Sequence, residues 1–244
     1  MFLDLSGFSK MTDALMQHGQ HGAEVLAGLM HSVFDPLVRS IFWHGGKIVS
    51  FAGDGIMALF PVEGDEKRTA LRALASAWVI QQELLHAPER TTVYGTFPLS
   101  VKIGVTVGSA DWRILRSEDG GQATYYFRGS AVDGSANAEH NAFAREILLT
   151  ARMNDLLGDS ILTQPQGPFH RFAGFRGEAP QATPFAPPSV NLEIARIFMP
   201  EEVIVHDMRG EFRQIVNQSM RIPEQPEGKL ADFINAIFEL RKQY

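Results

Sequence analysis

Apolar and polar positions change period several times along the chain, and each change marks an element. The opening FLDL is a short apolar strand candidate, followed by SGFSKMTDALMQHG as a loop and a short helix. Residues 22–44 place apolar residues at helical spacing, and Gly45-Gly46 stops the run. Pro36 is expected to kink or divide that helix. KIVSFAGDGIMALFP, residues 47–61, reads as two apolar runs folded back around Gly53-Asp54-Gly55. A helix from about 65 to about 86 follows, with Asp65 placed to cap it. LSVKIGVTVGSADW is β-rich, and its Gly104 and Gly108 mark bulges or close backbone approach. QATYYFRGSAV pairs with it across the polar turn RSEDGGQ. GSANAEHNAFA then reads as a short helix, EILLT as a strand and NDLLG as a small helix.

This order predicts an α/β fold, an α+β sandwich with a mixed sheet, rather than a doubly wound one. Six of the 13 prolines fall between Thr163 and Val190, which marks an extended connector. Beyond it, LEIARIFMPEEVIVHDMRG reads as helical, EFRQIVNQSMRI as a strand and GKLADFINAIFELRKQY as a helix. That last strand–helix pair repeats the element order of the chain start. Three segments are therefore expected: a first domain over 1–165, a connector over 166–210, and the start of a second, similar domain over 211–244.

Composition narrows the chemistry. With 244 residues and 45% hydrophobic content, the chain can bury a full core. It has no cysteine, which removes disulfides and thiolate metal sites and fits a reducing, cytoplasmic compartment. A formal charge of −6 argues against nucleic acid as a partner held by bulk electrostatics. Eight histidines occur without zinc-site spacing. No apolar run of bilayer length stands out, and Asp4 interrupts any signal-peptide pattern.

Two aspartates carry the candidate chemistry. A helical crossover lets the 47–61 hairpin lie beside the first strand, so that Asp4 and Asp54 come within reach of one ion. Two carboxylates that close repel unless a cation sits between them. Oxygen ligands with no histidine or cysteine nearby favour Mg²⁺ or Mn²⁺. SGFS leads from Asp4 into a helix start, whose free N–H groups suit phosphate. Together these describe a nucleoside triphosphate site worked by two metals. A DxDxT phosphatase is excluded because position 6 is Ser6.

FLDLSGFSKMTDAL and GGKIVSFAGDGIMALFP resemble the two metal-site motifs of class III adenylyl/guanylyl cyclase catalytic domains. The wording is most similar to the first of two tandem domains in soluble, bicarbonate-regulated adenylyl cyclases and their bacterial relatives. VKIGVTVG, YYFRGSAVDGSAN and EILLT fall where that family places later strands. The resemblance implies a ferredoxin-like fold with a mixed, mainly antiparallel sheet flanked by helices. It implies that Asp4 and Asp54 are catalytic and hold two Mg²⁺ or Mn²⁺ ions, with the Leu5 carbonyl assisting. Ser6, Gly7, Phe8, Ser9, Gly53 and Lys102 would contact the substrate, ATP, which is cyclised with release of pyrophosphate.

The chain also departs from the family. Ser50 stands where a lysine is normal, and Lys47 is expected on the opposite face of the strand, as alternation dictates. Asp133 and Asn137 stand where the family places an asparagine and a transition-state arginine. A neutral Asn137 offers phosphoryl charge no counter-charge. In a tandem enzyme those groups come from the partner, so a second cyclase catalytic domain is the expected partner and the isolated chain is expected to be inactive. With no basic residue at 50, 136 or 137, bicarbonate control is not expected. The rival readings are an inactive domain that binds Mg-ATP as a regulator and a plain dimerisation module.

Overall fold

The computed structural model describes residues 1–184 and Phe198. Its central sheet is built from β1 (Phe2–Ser6), β2 (Lys47–Ala52), β3 (Gly55–Leu59), β6 (Ser100–Val105), β9 (Ile147–Thr150), β10 (Ile161–Gln166) and β11 (Phe169–Phe175). The strand order is β10-β11-β9-β6-β1-β3-β2. Only the β6–β9 pairing is parallel within this sheet, so it is mixed and mainly antiparallel, as the sequence predicts. Two small hairpins stand outside it: β4 (Glu89–Thr92) with β5 (Gly95–Pro98), and β7 (Asp111–Arg116) with β8 (Ala123–Arg128).

The helices are α1 (Phe8–Met16), α2 (Gly19–Trp43), α3 (Glu66–His86), α4 (Ser130–His140) and α5 (Ala151–Leu157). Asp65 caps α3 as expected, accepting a hydrogen bond from the Arg68 amide at 3.2 Å. On the sheet, Leu3, Leu5, Val101 and Ile103 share one buried face, and α3 packs on that side of β6. The alternate face of β6 carries Lys102 and Gly104 and receives α4. A Cβ at Gly104 would lie 2.1 Å from the Ser135 carbonyl oxygen and 2.3 Å from the Glu139 nitrogen, so the missing side chain is what seats the helix. Gly108 is likewise a close approach, 2.5 Å from Ser130 Oγ by the same measure.

The described chain forms two units. The first holds Met1–Met11, Val33–Arg113 and residues 126–184, with the whole sheet and the candidate site. The second takes in Thr12–Ser32 and Ile114–Tyr125, that is, helical residues and the tip of the β7–β8 hairpin.

Four sequence expectations need correction. The sheet runs on to Phe175, so the connector expected from residue 166 starts no earlier than residue 176. Pro165 sits inside β10, the edge strand, where a missing donor is harmless, so a cluster of prolines does not by itself mark an extended connector. α2 is not divided at Pro36, because the ring removes one intrahelical bond from a helix whose later half is pinned by buried Val33, Leu37 and Ile41. α2 also has the length and mean hydropathy, 1.3, to cross a membrane by composition alone. What marks its later half as core is that burial, with Ser40 Oγ bonded to the Ser76 carbonyl of α3 at 3.2 Å. Finally, the β2–β3 register slips between Ile48 and Ser50. Lys47 pairs with Leu59 and Ser50 with Met57, two residues apart on β3, so Lys47 and Ser50 share a face. The bulge at Val49 breaks the simple alternation. The helix–strand–helix expected over residues 191–244 lies outside the described residues.

Candidate metal and nucleotide site

The site begins with the order β6-β1-β3. β1 pairs with β6 along its full length, from Phe2↔Gly104 to Ser6↔Ser100, but with β3 only at Phe2↔Met57 and Leu3↔Ile56. The β3 side of Asp4, Leu5 and Ser6 is therefore left open next to the tip of the hairpin. That tip is two residues, Gly53-Asp54, between the paired Ala52 and Gly55. Such a turn needs a positive φ, and Gly53 supplies it at +67°. The Leu3 carbonyl oxygen faces Gly55, at 3.2 Å from the position of an added Cβ. Carbonyls two apart on a strand point the same way, so the Leu5 carbonyl also faces the hairpin, beyond the end of the ladder.

The turn after β1 brings in α1. Gly7 has φ +97°, and a Cβ there would lie 2.3 Å from the Pro98 carbonyl oxygen, so both conformation and space demand glycine. The first intrahelical bond runs from the Met11 amide to the Gly7 carbonyl, which leaves the amides of Phe8, Ser9 and Lys10 free of α1's own ladder. Ser9 Oγ donates to Asp54 Oδ2 at 3.2 Å, which ties the helix start to the hairpin tip. Phe8 turns its ring into the core, edge-on to Phe34 with centroids 5.5 Å apart. Its contribution to a ligand is thus limited to its amide.

Asp4 and Asp54 are brought into electrostatic range of each other. Burial raises the pKa of Asp4, the Asp54 charge raises it further, and Lys102 opposes both. Lys102 stands directly opposite Asp4 in the β1–β6 register, with Nζ 3.6 Å from Asp4 Oδ2. The same ammonium lies 2.6 Å from Glu139 Oε1, on α4. Burial alone would lower the pKa of Lys102, but the close bond to Glu139 and the charges of Glu139 and Asp4 carry it above its usual value. The ammonium is therefore permanent.

Glu139 is the member that sequence reading misses. It was legible in one respect: Ser135, Ala138, Glu139 and Ala142 follow helical spacing, which sets one acid among small residues. Such an acid needs a counter-ion. The opposite face of α4 exposes Asp133 and Asn137, one turn apart.

The donor set suits a hard divalent ion. Among the described residues no group of three or more His, Asp or Glu forms a ready-made cage. Mg²⁺ does not require one, since it is commonly held by one or two carboxylates, waters and substrate phosphates. Two repelling carboxylates, a carbonyl aimed past its ladder and a helix start with free amides are such a set.

No family model matches the chain. Adenylate cyclase type 10 of Rattus norvegicus is 27% identical over 166 residues, covering 66% of this chain, and its Homo sapiens counterpart is 25% identical over 164. Among solved structures, the adenylyl cyclase CyaB from P. aeruginosa matches with a TM-score of 0.59 and 20% identity over 72% of this chain and 92% of its own. The guanylyl cyclase Cya2 matches with a TM-score of 0.58 and 26% identity over 75% and 94%. In sequence and in fold the chain is thus similar to adenylyl and guanylyl cyclase domains. The similarity covers 66% of this chain, and the chain spans about a tenth of the length of the curated relatives it matches, 10% in each case.

Proposed function

We propose that this chain is the metal-bearing half of a nucleotidyl cyclase that converts ATP to 3′,5′-cyclic AMP and pyrophosphate, and that it works only with a second cyclase catalytic domain. The partner half belongs either to the same full-length chain or to another protein. The observation that supports this most is the meeting of Asp4, Asp54 and the α1 N-terminus at the open end of β1. ATP is preferred over GTP because the sequence relatives above are adenylate cyclases.

Asp4 and Asp54 would hold two Mg²⁺ or Mn²⁺ ions, which offset triphosphate charge and acidify the ribose 3′-hydroxyl when bound. The Leu5 carbonyl adds a neutral oxygen. The amides of Phe8, Ser9 and Lys10 receive phosphate oxygens, helped by the positive end of the helix. Lys102 adds a fixed positive charge from the neighbouring strand. The ribose 3′-hydroxyl gives its proton to water as its oxygen bonds to the α-phosphorus, the bond from that phosphorus to the α–β bridging oxygen breaks, and pyrophosphate leaves. The transition-state arginine and the base-reading lysine come from the partner, because Asn137 and Ser50 bring neither charge.

Calorimetric titration with Mn²⁺ and a non-hydrolysable ATP analogue tests the metal half of this reading. Asp54→Ala should abolish binding without lowering the melting temperature, since one of two repelling carboxylates is removed. Unchanged affinity would reduce the hairpin tip to an ordinary turn. The chain alone should make no cyclic AMP, and a partner domain with the missing Asn, Arg and Lys should restore synthesis. That synthesis should vanish with Asp4→Ala; a productive mixture indifferent to this change would place the metals elsewhere.

A further inference from the structure

We propose that Glu139 is a positioning residue that keeps Lys102 from closing on Asp4, so that the Asp4 carboxylate stays open to a divalent cation. The inference rests on the metal-bearing role given above and adds a residue to it.

The register sets the problem. Asp4 and Lys102 are direct cross-strand partners, and an acid and a base so placed close into an ion pair when nothing intervenes. An ammonium seated on Asp4 competes with a metal ion for the same oxygens. In the fold it is not so seated: Nζ lies 3.6 Å from Asp4 Oδ2, outside hydrogen-bond range, and 2.6 Å from Glu139 Oε1.

The two acceptors differ in mobility. Asp4 lies at the open end of β1, with its side chain 29% exposed. Glu139 is 8% exposed on a helix locked against β6 by Gly104, and its Oε1 takes no partner besides this ammonium among the described residues. A buried carboxylate so placed cannot release its counter-ion cheaply. It therefore holds Lys102 at a set distance, close enough to soften the Asp4–Asp54 repulsion and too far to cap Asp4.

The test is Mn²⁺ binding to the 244-residue chain, read from loss of the free-ion electron paramagnetic resonance signal, with a thermal melt of every variant. Glu139→Gln should weaken Mn²⁺ binding about tenfold, the scale of one charge-assisted hydrogen bond. Glu139→Asp keeps the charge but withdraws it by one methylene, and should also weaken binding, by at least about threefold on the same scale. Glu139→Gln combined with Lys102→Met removes the competing ammonium and should return affinity to within about twofold of the parent, a small fraction of that term.

Parent affinity in Glu139→Asp would show that only the charge matters and would overturn the positioning role. So would an unchanged Glu139→Gln, or a double variant as weak as the single one. If Glu139→Gln does not fold, Glu139→Asp and the double variant decide alone. Failure of the parent chain to bind Mn²⁺ overturns the metal-bearing reading and this inference together. Parent binding that Asp54→Ala abolishes and Glu139→Asp leaves intact overturns this inference only.

Discussion

Gly104→Ala is the sharpest perturbation of this architecture, because one added methyl meets backbone on two sides. The new Cβ would lie 2.1 Å from the Ser135 carbonyl oxygen, 2.3 Å from the Glu139 nitrogen and 3.0 Å from the Ala138 carbonyl carbon, where ordinary contact begins at 3.4 Å. None of these atoms belongs to a side chain that can rotate away. Gly104 has no positive φ, so alanine suffers no backbone strain there and the whole effect is steric. Overpacking costs about 1–3 kcal/mol in well-packed cores, and rigid partners put this case at the upper end, about 3 kcal/mol. In a domain of this size that corresponds to a drop of about 6–12 °C in melting temperature. The displaced α4 carries Glu139 with it, so Mn²⁺ affinity should fall alongside stability. Urea unfolding followed by circular dichroism measures the first effect, and resonance titration the second. A loss below about 1 kcal/mol would mean that α4 is not seated on Gly104.

Two further outcomes follow from the same structure. Gly28→Ala, inside α2 with nothing within 4 Å of its added Cβ and no positive φ, should stabilise by about 0.5–1 kcal/mol in urea unfolding; a loss would refute the open space. Asp4→Asn should stabilise the metal-free protein at neutral pH. Burial and Asp54 raise the Asp4 pKa in the folded state, so the folded chain binds this proton more readily than the unfolded one and its ionised form weakens the fold. The gain should shrink as pH falls through the raised Asp4 value and disappear below the ordinary carboxylate range; urea midpoints in chelator that diverge as pH falls would reverse the sign and the reasoning.

Periodicity and turn chemistry in the sequence sufficed for β1, the β2–β3 hairpin, the Asp65 cap and the close approach at Gly104. These depend on local residue types, which sequence displays directly. The β4–β5 hairpin escaped because ERTT and GTFP are short, polar and without alternation. β10 and β11 escaped because the clustered prolines from Pro165 onward suggest an extended connector, although an edge strand tolerates proline. The bulge at Val49 escaped for a different reason: its only trace is a register slip fixed by the partner strand. In the site, the approach of Asp54 to Asp4 was legible from two turns and a crossover. The Lys102–Glu139 bond was not, since it joins a strand to a helix 37 residues on, through a contact that only Gly104 permits.

α4 shows why such a chain would need a partner. Its buried face carries Glu139, which holds Lys102 beside Asp4. Its exposed face presents Asp133 and Asn137 to whatever stands opposite, an acid and an amide where phosphoryl charge calls for a base. The bulge adds Lys47 to the face that Ser50 occupies, but one ladder step farther from the hairpin tip, at Leu59 rather than Met57. A ladder step of two residues is about 7 Å, roughly the reach of a lysine stem, so Lys47 cannot act from the Ser50 position without extending along the strand. The domain thus concentrates acceptors for cations at one end of β1, and no described cation on α4 or β2 stands where a triphosphate bound at a mirrored site would need it. A domain of this kind has a use for a second one only if that second domain inverts the arrangement, bringing cations where this one brings acids. The decisive experiment on the pair is therefore a charge test, in which an arginine introduced as Asn137→Arg should leave the Asp4–Asp54 site untouched in Mn²⁺ titration while changing nucleotide binding only when the partner is present.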